Sequence, residues 1–393
     1  MENNRKITKR DFLKYSFMGT CGLALGVAGI RSFGNSVFSK APGIPSLSPA
    51  PSGEKLWKWS KEAYFYIETP KGIKCKLCPQ KCELKNGETG DCRTNVNFDG
   101  KLFTISYGNP CAVHVDPVEK KPLFHYLPNS TAYSIATAGC NLACLNCQNW
   151  DISQSSPKDT RNLDLMPEYV VKEAKNNNCK SIAYTYSDPV AFYEYTFDTA
   201  KIAREQGIKN ILISAGYINE VPLRQLCKYL DAANIDMKSF SDETYEMLNA
   251  GTLEPVLNTL KILKEEGVWL EIGTLVVPTW SDDLDMIKQM CEWIVKNELH
   301  TYPFHFLRFQ PLYKLTNLPQ TPVSTLEKAR QIALDAGMKY VYIGNVPGHE
   351  AENTYCPKCK KLLIERKGFT VTQNNIVNSS CKFCQEKIHG VWN

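Results

Sequence analysis

The stretch "AYSIATAGCNLACLNCQNW", residues 132–150, runs from an apolar segment into three cysteines and supplies no fourth. Cys140, Cys144 and Cys147 have the spacing C-x3-C-x2-C. A closed tetrahedral metal site takes four protein ligands, whereas a site with three keeps one position open. Soft thiolates bind iron–sulfur clusters, and in a four-iron cluster three cysteines leave one iron without a protein ligand. The pattern therefore favours a [4Fe–4S] cluster whose fourth iron binds something other than protein.

Apolar segments typical of strands alternate with amphipathic helices from Ala132 onward. Six such segments follow the cysteines: "SIAYTY" (181–186), "NILIS" (210–214), "NIDMKS" (234–239), "WLEIGTLVV" (269–277), "PFHFLRF" (303–309) and "KYVYIG" (339–344). Three helices are expected to end at a glycine in the left-handed cap, directly before the next strand: Gly207, Gly267 and Gly337. Apolar strands separated by helices predict a parallel sheet covered by helices.

Six or more such units indicate an α/β fold, a partial (β/α)6-type barrel, with an open doubly wound sheet as the alternative. Barrel chemistry lies at the C-terminal ends of the strands, which is where the three cysteines are found. We expect five regions along the chain: a signal or membrane anchor (1–38), a Pro/Ser-rich linker (39–55), an N-terminal four-cysteine module (56–130), the barrel (131–350) and a zinc-ribbon-like module (351–393).

The composition is unusual in its large number of cysteines. The 393 residues include 16 cysteines, and the formal net charge is +5. This basic excess is too weak to indicate nucleic acid as a partner. Most cysteines fall into tight clusters with C-x2-C spacing, which in a chain of this size favours metal binding over disulfide pairing.

The N-terminus combines a basic segment with an apolar run from about Tyr15 to Ile30. The run is short for a membrane span and suits a signal peptide. "TKRDFLK" resembles a twin-arginine export signal, with Lys9 where the first arginine belongs. We expect an exported or membrane-tethered protein. An uncleaved anchor, or a cytoplasmic protein with a degenerate leader, is the alternative.

Two further cysteine sets have four members each. "CKLCPQKCELKNGETGDC" contains Cys75, Cys78, Cys82 and Cys92, four soft ligands that fit either zinc or an auxiliary iron–sulfur cluster. "CPKC" and "CKFC" pair Cys356 with Cys359 and Cys381 with Cys384. Two C-x2-C pairs separated in this way are typical of a zinc ribbon, so the second set predicts a structural zinc site, with a second iron–sulfur site as the alternative.

Several long motifs in matching order resemble the AmmeMemoRadiSam system radical SAM enzyme, a family related to the pyruvate formate-lyase activating enzyme. They are "CKLCPQKCELKNGETGDC", "DPVEKKPLFHYLP", "AGCNLACLNCQNWDISQ", "YTYSDP", "VYIGNVPG" and the C-terminal cysteine pairs, within residues 70–393. The resemblance implies that S-adenosylmethionine binds the open iron and is cleaved reductively to a 5′-deoxyadenosyl radical, which abstracts hydrogen from a substrate. It also implies a flavodoxin- or ferredoxin-type electron donor and Memo-like and AMMECR-like partner proteins.

The resemblance also implies cofactor-binding positions. The "YTYSDP" motif would contact the methionine amino group through Thr185, Tyr186, Ser187 and Asp188, although Ser-Asp-Pro is also ordinary turn chemistry. Two departures from the family pattern are visible. Asn146 stands where an aromatic residue near the adenine is common, and Ala215-Gly216 replaces an Asn-Gly pair. Gly216 is nevertheless expected to bind the cofactor.

Polar residues on the apolar strands complete the predicted site. Asp236 and Lys238 share one strand face, as a catalytic pair or a structural ion pair. Glu271 is expected to contact the cofactor. His305 and Arg308 are expected to meet a carboxylate of cofactor or substrate, with a buried core histidine as the alternative for His305.

Two other functions compete with general hydrogen abstraction. One is activation of a glycyl-radical enzyme, by analogy with the formate-lyase activator. The other is a cysteine-rich metal or electron-transfer protein without turnover. Ferredoxin-type sequences use four closely spaced cysteines, so the missing fourth cysteine after Cys147 argues against the second.

Overall fold

The structure is a computed structural model that describes residues 56–393. The predicted signal or anchor (1–38) and the linker (39–55) lie outside the described residues. Within the described part of the chain, no helix combines the length and apolar character needed to cross a membrane.

The N-terminal module consists of short antiparallel strands in two three-stranded sheets, ordered β2-β3-β4 and β1-β6-β5. The strands are β1 (Lys61–Glu62), β2 (Tyr66–Thr69), β3 (Gly72–Cys75), β4 (Glu83–Leu84), β5 (Asn95–Phe98) and β6 (Lys101–Thr104). Asp99 and Gly100 form the two-residue turn between β5 and β6, and both have positive φ, at 49° and 79°. An Asp-Gly pair is favoured here because this hairpin turn requires positive φ at both central positions.

The central sheet has eight strands in the order β14-β13-β12-β11-β10-β9-β8-β7. They are β7 (Ala112–Pro117), β8 (Thr131–Ala136), β9 (Ser181–Tyr184), β10 (Lys209–Ser214), β11 (Ala232–Asp236), β12 (Trp269–Val276), β13 (Phe304–Arg308) and β14 (Val341–Gly344). Strands β8 to β14 are parallel, and β7 pairs with β8 in the antiparallel direction.

The strand order follows the chain without reversal, whereas a doubly wound sheet reverses at a switch point. The alternative of a doubly wound sheet is therefore wrong. The sheet has seven parallel strands, which match the apolar segment before the cysteines and the six segments that follow them. Strand β7 comes from the predicted N-terminal module and forms one edge of the sheet.

The helices lie between the strands and pack their apolar faces on the sheet. They are α1 (Trp150–Ser153), α2 (Pro167–Asn176), α3 (Tyr193–Glu205), α4 (Glu220–Cys227), α5 (Asp242–Thr244), α6 (Glu254–Glu265), α7 (Leu284–Lys296) and α8 (Val323–Asp335), with a π-helical turn at Tyr245–Asn249. Helix α7 buries Ile287, Met290, Cys291 and Ile294, which share one helix face. The three predicted glycine caps have positive φ, which confirms how α3, α6 and α8 end.

The C-terminal module is a set of short antiparallel strands. They are β15 (Thr354–Tyr355), β16 (Leu362–Lys367), β17 (Thr370–Asn374), β18 (Ile376–Val377) and β19 (Ser380–Cys381). Its apolar residues Leu363 and Ile364 pack in one buried cluster with Phe124 and Tyr342. The Arg366 side chain is buried there and donates hydrogen bonds to the carbonyl oxygen of Phe124 at 2.7 Å and to Thr354 Oγ1 at 2.8 Å. The module is therefore fixed to the edge of the central sheet near β14.

Candidate active site and metal centres

A cavity of about 760 Å³ lies where the parallel strands end. This volume is within the range of roughly 300–1,000 Å³ that is usual for small-molecule sites. Every parallel strand, or the loop that follows it, contributes to the lining: Cys140, Thr185, Ala215, Asp236, Leu275, Leu307 and Gly344. The strands thus converge on one cavity, as their order in an open barrel requires.

The three central cysteines line this cavity together. The Leu142 N–H lies 3.4 Å from Cys140 Sγ, and the Asn249 amide donates to Cys144 Sγ at 3.1 Å. Burial raises the pKa of all three thiols, of Cys140 the most. Buried thiols favour the neutral form unless a cation binds them, and metal binding supplies that cation. The thiols therefore suit an iron–sulfur cluster better than free thiolate chemistry.

The π-helical turn Tyr245–Asn249 holds the cysteine loop in place. The N–H groups of Ala143 and Leu145 donate to the carbonyl oxygens of Asn249 and Leu248, at 3.0 Å and 2.9 Å. Such turns inside helices are frequent at functional sites. The turn thereby supplies both the support of the loop and a hydrogen bond to one of its sulfurs.

Asp236 and Lys238 form an ion pair at the cavity wall, with 2.9 Å between Lys238 Nζ and Asp236 Oδ2. Burial alone would lower the pKa of Lys238, but attraction to Asp236 and to Cys144 raises it above its usual value. Lys238 is therefore a fixed positive charge beside the cysteine loop.

The "YTYSDP" segment forms the wall next to the cysteines, and Thr185, Tyr186, Ser187 and Asp188 all line the cavity. The Asp188 carboxylate accepts hydrogen bonds from Ser214 Oγ at 3.0 Å, from Ala215 N at 2.9 Å and from Val190 N at 3.0 Å. Burial raises its pKa. Asp188 therefore joins the ends of β9 and β10 in addition to facing the cavity.

Two predicted residues form a buried pair. Glu271 accepts hydrogen bonds from the N–H groups of Phe124 and His125, at 2.9 Å and 2.7 Å, and from His305 Nε2 at 2.7 Å. Although burial would raise the pKa of Glu271, the hydrogen bond from His305 lowers it. His305 and Phe124 line the cavity, whereas Glu271 is outside the lining and contacts both of them from behind the wall.

Two other predicted residues lie away from the cavity lining in the described part of the chain. Arg308 Nε donates to the Thr321 carbonyl oxygen at 2.8 Å. Gly216 has a φ of +69°, and its carbonyl oxygen accepts a hydrogen bond from Thr259 Oγ1 at 2.7 Å. Both positions support the walls, and their assignment to ligand binding stays a prediction.

The two four-cysteine sets have different geometries. In the C-terminal set, Sγ atoms lie 3.6 Å apart in Cys356 and Cys384 and 3.7 Å apart in Cys359 and Cys381. All four sulfurs lie within 4.8 Å of one another, a spacing that suits one metal ion. The N-terminal set instead lines a separate small cavity: Cys75, Cys78, Cys82 and Cys92.

Comparisons with known proteins identify the family of this chain. The family model of the radical SAM superfamily matches residues 134–294, from β8 into α7. The uncharacterized protein MJ0808 of Methanocaldococcus jannaschii is 46% identical over 332 residues, which cover 84% of this chain and 98% of that protein. The chain belongs to the radical SAM superfamily. The predicted superfamily membership, and with it a [4Fe–4S] cluster and S-adenosylmethionine as cofactors, is thereby confirmed.

Radical SAM activating enzymes are more distant relatives. The pyruvate formate-lyase 1-activating enzyme of Escherichia coli (strain K12) is 25% identical over 222 residues, covering 52% of this chain and 89% of that enzyme. The 4-hydroxyphenylacetate decarboxylase activating enzyme of Clostridium scatologenes is 23% identical over 225 residues, covering 51% of this chain and 70% of that enzyme. The similarity to glycyl-radical-enzyme activases thus extends over about half of this chain.

Sequence reasoning assigned no role to Lys121, which lines the radical SAM cavity. Its side chain is buried, lies 2.6 Å from Asp116 Oδ2 and stands 4.3 Å from the centre of the Tyr186 ring. Burial lowers the pKa of Lys121 to about 8. The available signal in the sequence was a pair of adjacent lysines shortly after an aspartate, in the segment "DPVEKK".

Proposed function

We propose that this chain is a radical SAM enzyme in which Cys140, Cys144 and Cys147 hold the [4Fe–4S] cluster. The observation that carries the proposal is the cavity itself. Its lining contains these three cysteines, and no fourth cysteine lines it among the described residues. Three thiolates leave one iron for S-adenosylmethionine. When bound, the two groups supply an electron and a 5′-deoxyadenosyl radical that abstracts hydrogen from a substrate.

The residues around the cysteines orient and enclose these groups. Lys238, fixed by Asp236, places a positive charge next to the cysteine loop, where it balances the thiolates. Asp188 fixes the ends of β9 and β10, so that the backbone of Thr185–Ser187 keeps its position. Apolar side chains of the cysteine loop and of three strands exclude water from a site where a radical forms: Leu142, Ile213, Leu275 and Leu307.

A cationic group in the cavity wall suits an anionic or carboxylate-bearing substrate. Lys121 shares Asp116 with Lys120, so that two lysines meet one carboxylate. The Lys121 ammonium group is thereby held in the cavity wall, which Glu119 also lines, and its charge is opposite in sign to a substrate carboxylate. We assign Lys121 to substrate binding in the proposed reaction.

Partners and location belong to the same proposal. A flavodoxin- or ferredoxin-type donor would supply the electron, and Memo-like and AMMECR-like proteins would supply or receive the substrate. The N-terminal residues would export the enzyme or tether it to a membrane. Fractionation of cells that carry a C-terminally tagged chain tests the location, and recovery in the soluble cytoplasmic fraction would contradict it.

A second candidate is activation of a glycyl-radical enzyme, which the two activating enzymes among the relatives favour. The two candidates differ in the product. Activation leaves a stable glycyl radical on a partner protein, and electron paramagnetic resonance detects it. A small-molecule reaction leaves no such signal.

The proposal is tested by turnover. Protein reconstituted with iron and sulfide under argon, then given dithionite and S-adenosylmethionine, should form 5′-deoxyadenosine. Cys144→Ala should lose the product, because it removes one cluster ligand. Cys291→Ala, a buried cysteine of α7 outside the cavity, is the matched control and should retain it. Product formation by Cys144→Ala, or none by the native chain, would overturn the proposal.

A further inference from the structure

The N-terminal cysteines line a small cavity and do not converge on a single position. Cys75, Cys78, Cys82 and Cys92 all line a cavity of about 20 Å³, together with the apolar side chains of Leu77, Leu84 and Val190. A single water needs roughly 10–15 Å³ of such volume. Cys75 and Cys78 are buried, and the other two cysteines are half-buried. The four thiols thus line one enclosed space that is large enough for a water molecule.

The spacing of these sulfurs does not suit one tetrahedral ion. Zinc–sulfur bonds of about 2.3 Å place the sulfurs of a zinc site roughly 3.8 Å apart. Within residues 56–393, only the C-terminal four form a group of at least three His, Cys, Asp or Glu ligand atoms within 4.8 Å of one another. No three thiols of the N-terminal set meet that distance. In a four-iron cluster each thiolate binds a different iron, which requires such wider spacing.

The surroundings of the N-terminal sulfurs also suit a cluster. Thr94 Oγ1 donates to Cys92 Sγ at 3.1 Å, and the Asn95 amide lies 3.9 Å from Cys75 Sγ. Thr94 and Asn95 are both buried. Hydrogen bonds to cysteine sulfurs and exclusion of solvent are two of the features that set the potential of iron–sulfur clusters.

This cavity adjoins the loop that carries the central cysteines. Asn141 lines the small cavity, whereas its neighbours Cys140 and Leu142 line the large one. The Gln80 amide donates to the Asn141 carbonyl oxygen at 3.0 Å. A Cβ atom on Gly139 would lie 2.6 Å from the carbonyl oxygen of Cys92, so only glycine permits this approach. The two cavities are thus separated by the segment 140–142.

We propose that Cys75, Cys78, Cys82 and Cys92 bind a [4Fe–4S] cluster, and that this cluster passes electrons to the central one. The second part rests on the proposed function. In each transfer, one electron leaves the reduced N-terminal cluster and reduces the oxidised central cluster, and no bond forms or breaks. A low-potential donor of the flavodoxin or ferredoxin class then returns one electron to the N-terminal cluster.

Metal analysis of Cys140/144/147→Ala tests the first part. This variant lacks the central ligands, so the result does not depend on S-adenosylmethionine cleavage. After anaerobic purification and reconstitution, we expect four iron and four sulfide per chain from one cubane, with one zinc in the C-terminal module. Dithionite should produce the electron paramagnetic resonance signal of a reduced four-iron cluster. Two zinc ions without iron, or two iron ions per chain, would overturn the assignment.

Electron supply tests the second part. In Cys82→Ser/Cys92→Ser, the two less buried ligands are replaced with close isosteres, and the central cysteines are unchanged. With reduced flavodoxin as donor, 5′-deoxyadenosine formation should fall at least tenfold, whereas dithionite should sustain most of it. Equal rates in the variant and the native chain with flavodoxin would overturn the role. An equal loss with both donors would also overturn it, because it would indicate a purely structural contribution.

Discussion

The N-terminal and C-terminal modules each contain four cysteines, yet the sulfurs are arranged differently. The C-terminal sulfurs lie within 4.8 Å of one another. The N-terminal sulfurs surround a cavity. The N-terminal set has one C-x2-C pair and the C-terminal set has two, but the number of cysteines is the same in both modules and does not choose the metal. The distance between the sulfurs, which depends on the fold around them, makes that choice.

The two modules also contact different parts of the candidate site. The C-terminal module contributes Glu352, Gly368 and Phe369 to the lining of the large cavity. The N-terminal module contacts the cysteine loop through Gln80. One module therefore shapes the space for ligands, and the other adjoins the proposed redox centre. Four changes test this difference, in order of expected effect.

The largest effect is expected from Cys381→Ser, which removes a buried ligand of the C-terminal set. Structural zinc contributes directly to folding, so the loss should amount to several kcal/mol and the segment 354–393 should become sensitive to protease. Zinc should fall by one equivalent while iron is unchanged. Cys111→Ser, outside the three clusters, is the control. Retention of zinc by Cys381→Ser would remove the distinction between the modules.

Arg366→Met tests the attachment of the C-terminal module. Arg366 is buried, and its removal takes away the hydrogen bonds that it donates to the carbonyl oxygens of Phe124 and Glu352 and to Thr354 Oγ1. We expect the free energy of unfolding to fall by about 3 kcal/mol. Arg224→Met removes three ion pairs at the surface, where solvent screens them, and should cost much less than Arg366→Met. Denaturant unfolding measures both, and equal losses would contradict a docked module.

We expect acid to lower the stability of the packing around the C-terminal module through protonation of His125. Burial lowers its pKa to about 4, below the unfolded value of about 6.5. Between these values the unfolded chain binds a proton and the folded chain does not, so stability is lost as the pH falls. From pH 7.5 to pH 5 the free energy of unfolding should drop by about 2 kcal/mol from this group.

The variant that tests this prediction is His125→Gln. Its stability is compared with that of its parent, and both proteins carry Cys140/144/147→Ala so that loss of the central cluster in acid does not interfere. The variant should show a smaller loss of stability on acidification than its parent. Identical pH dependence in the two proteins would exclude His125 as the cause.

The smallest effect is expected from Thr94→Val, which removes the hydrogen bond to Cys92 Sγ and preserves the shape of the side chain. The unfolding free energy should change by less than about 1 kcal/mol. The reduction potential of the N-terminal cluster should fall, because hydrogen bonds to sulfur stabilise the reduced state. Redox titration of Cys140/144/147→Ala with and without this change measures it. Thr372→Val, in the C-terminal hairpin, should leave the potential unchanged.

Much of this architecture could be predicted from short stretches of the sequence. The apolar segments predicted every parallel strand, and Gly207, Gly267 and Gly337 predicted where three helices end. Such features depend on residues that are close together in the chain. The central cysteines were also predicted at the end of the first parallel strand, because the spacing is local.

Contacts between residues that are far apart in the chain could not be predicted from local sequence. The Asn249 side chain binds a sulfur 105 positions earlier in the chain, and the partners of Glu271 on the backbone lie 146 and 147 positions earlier. A lone Asn or Glu in a sequence carries no sign of such a partner. Lys121 was overlooked for the same reason, because its position in the cavity depends on how the β7–β8 connection folds.

The position of Phe369 has a consequence for how the protein matures. The ribosome makes the sheet before the hairpin that carries Phe369 at the cavity wall. During synthesis the chamber therefore stays incomplete until the hairpin has emerged and folded. During that interval the three cysteines lack this part of the cavity wall, because the hairpin lies far behind them in the chain.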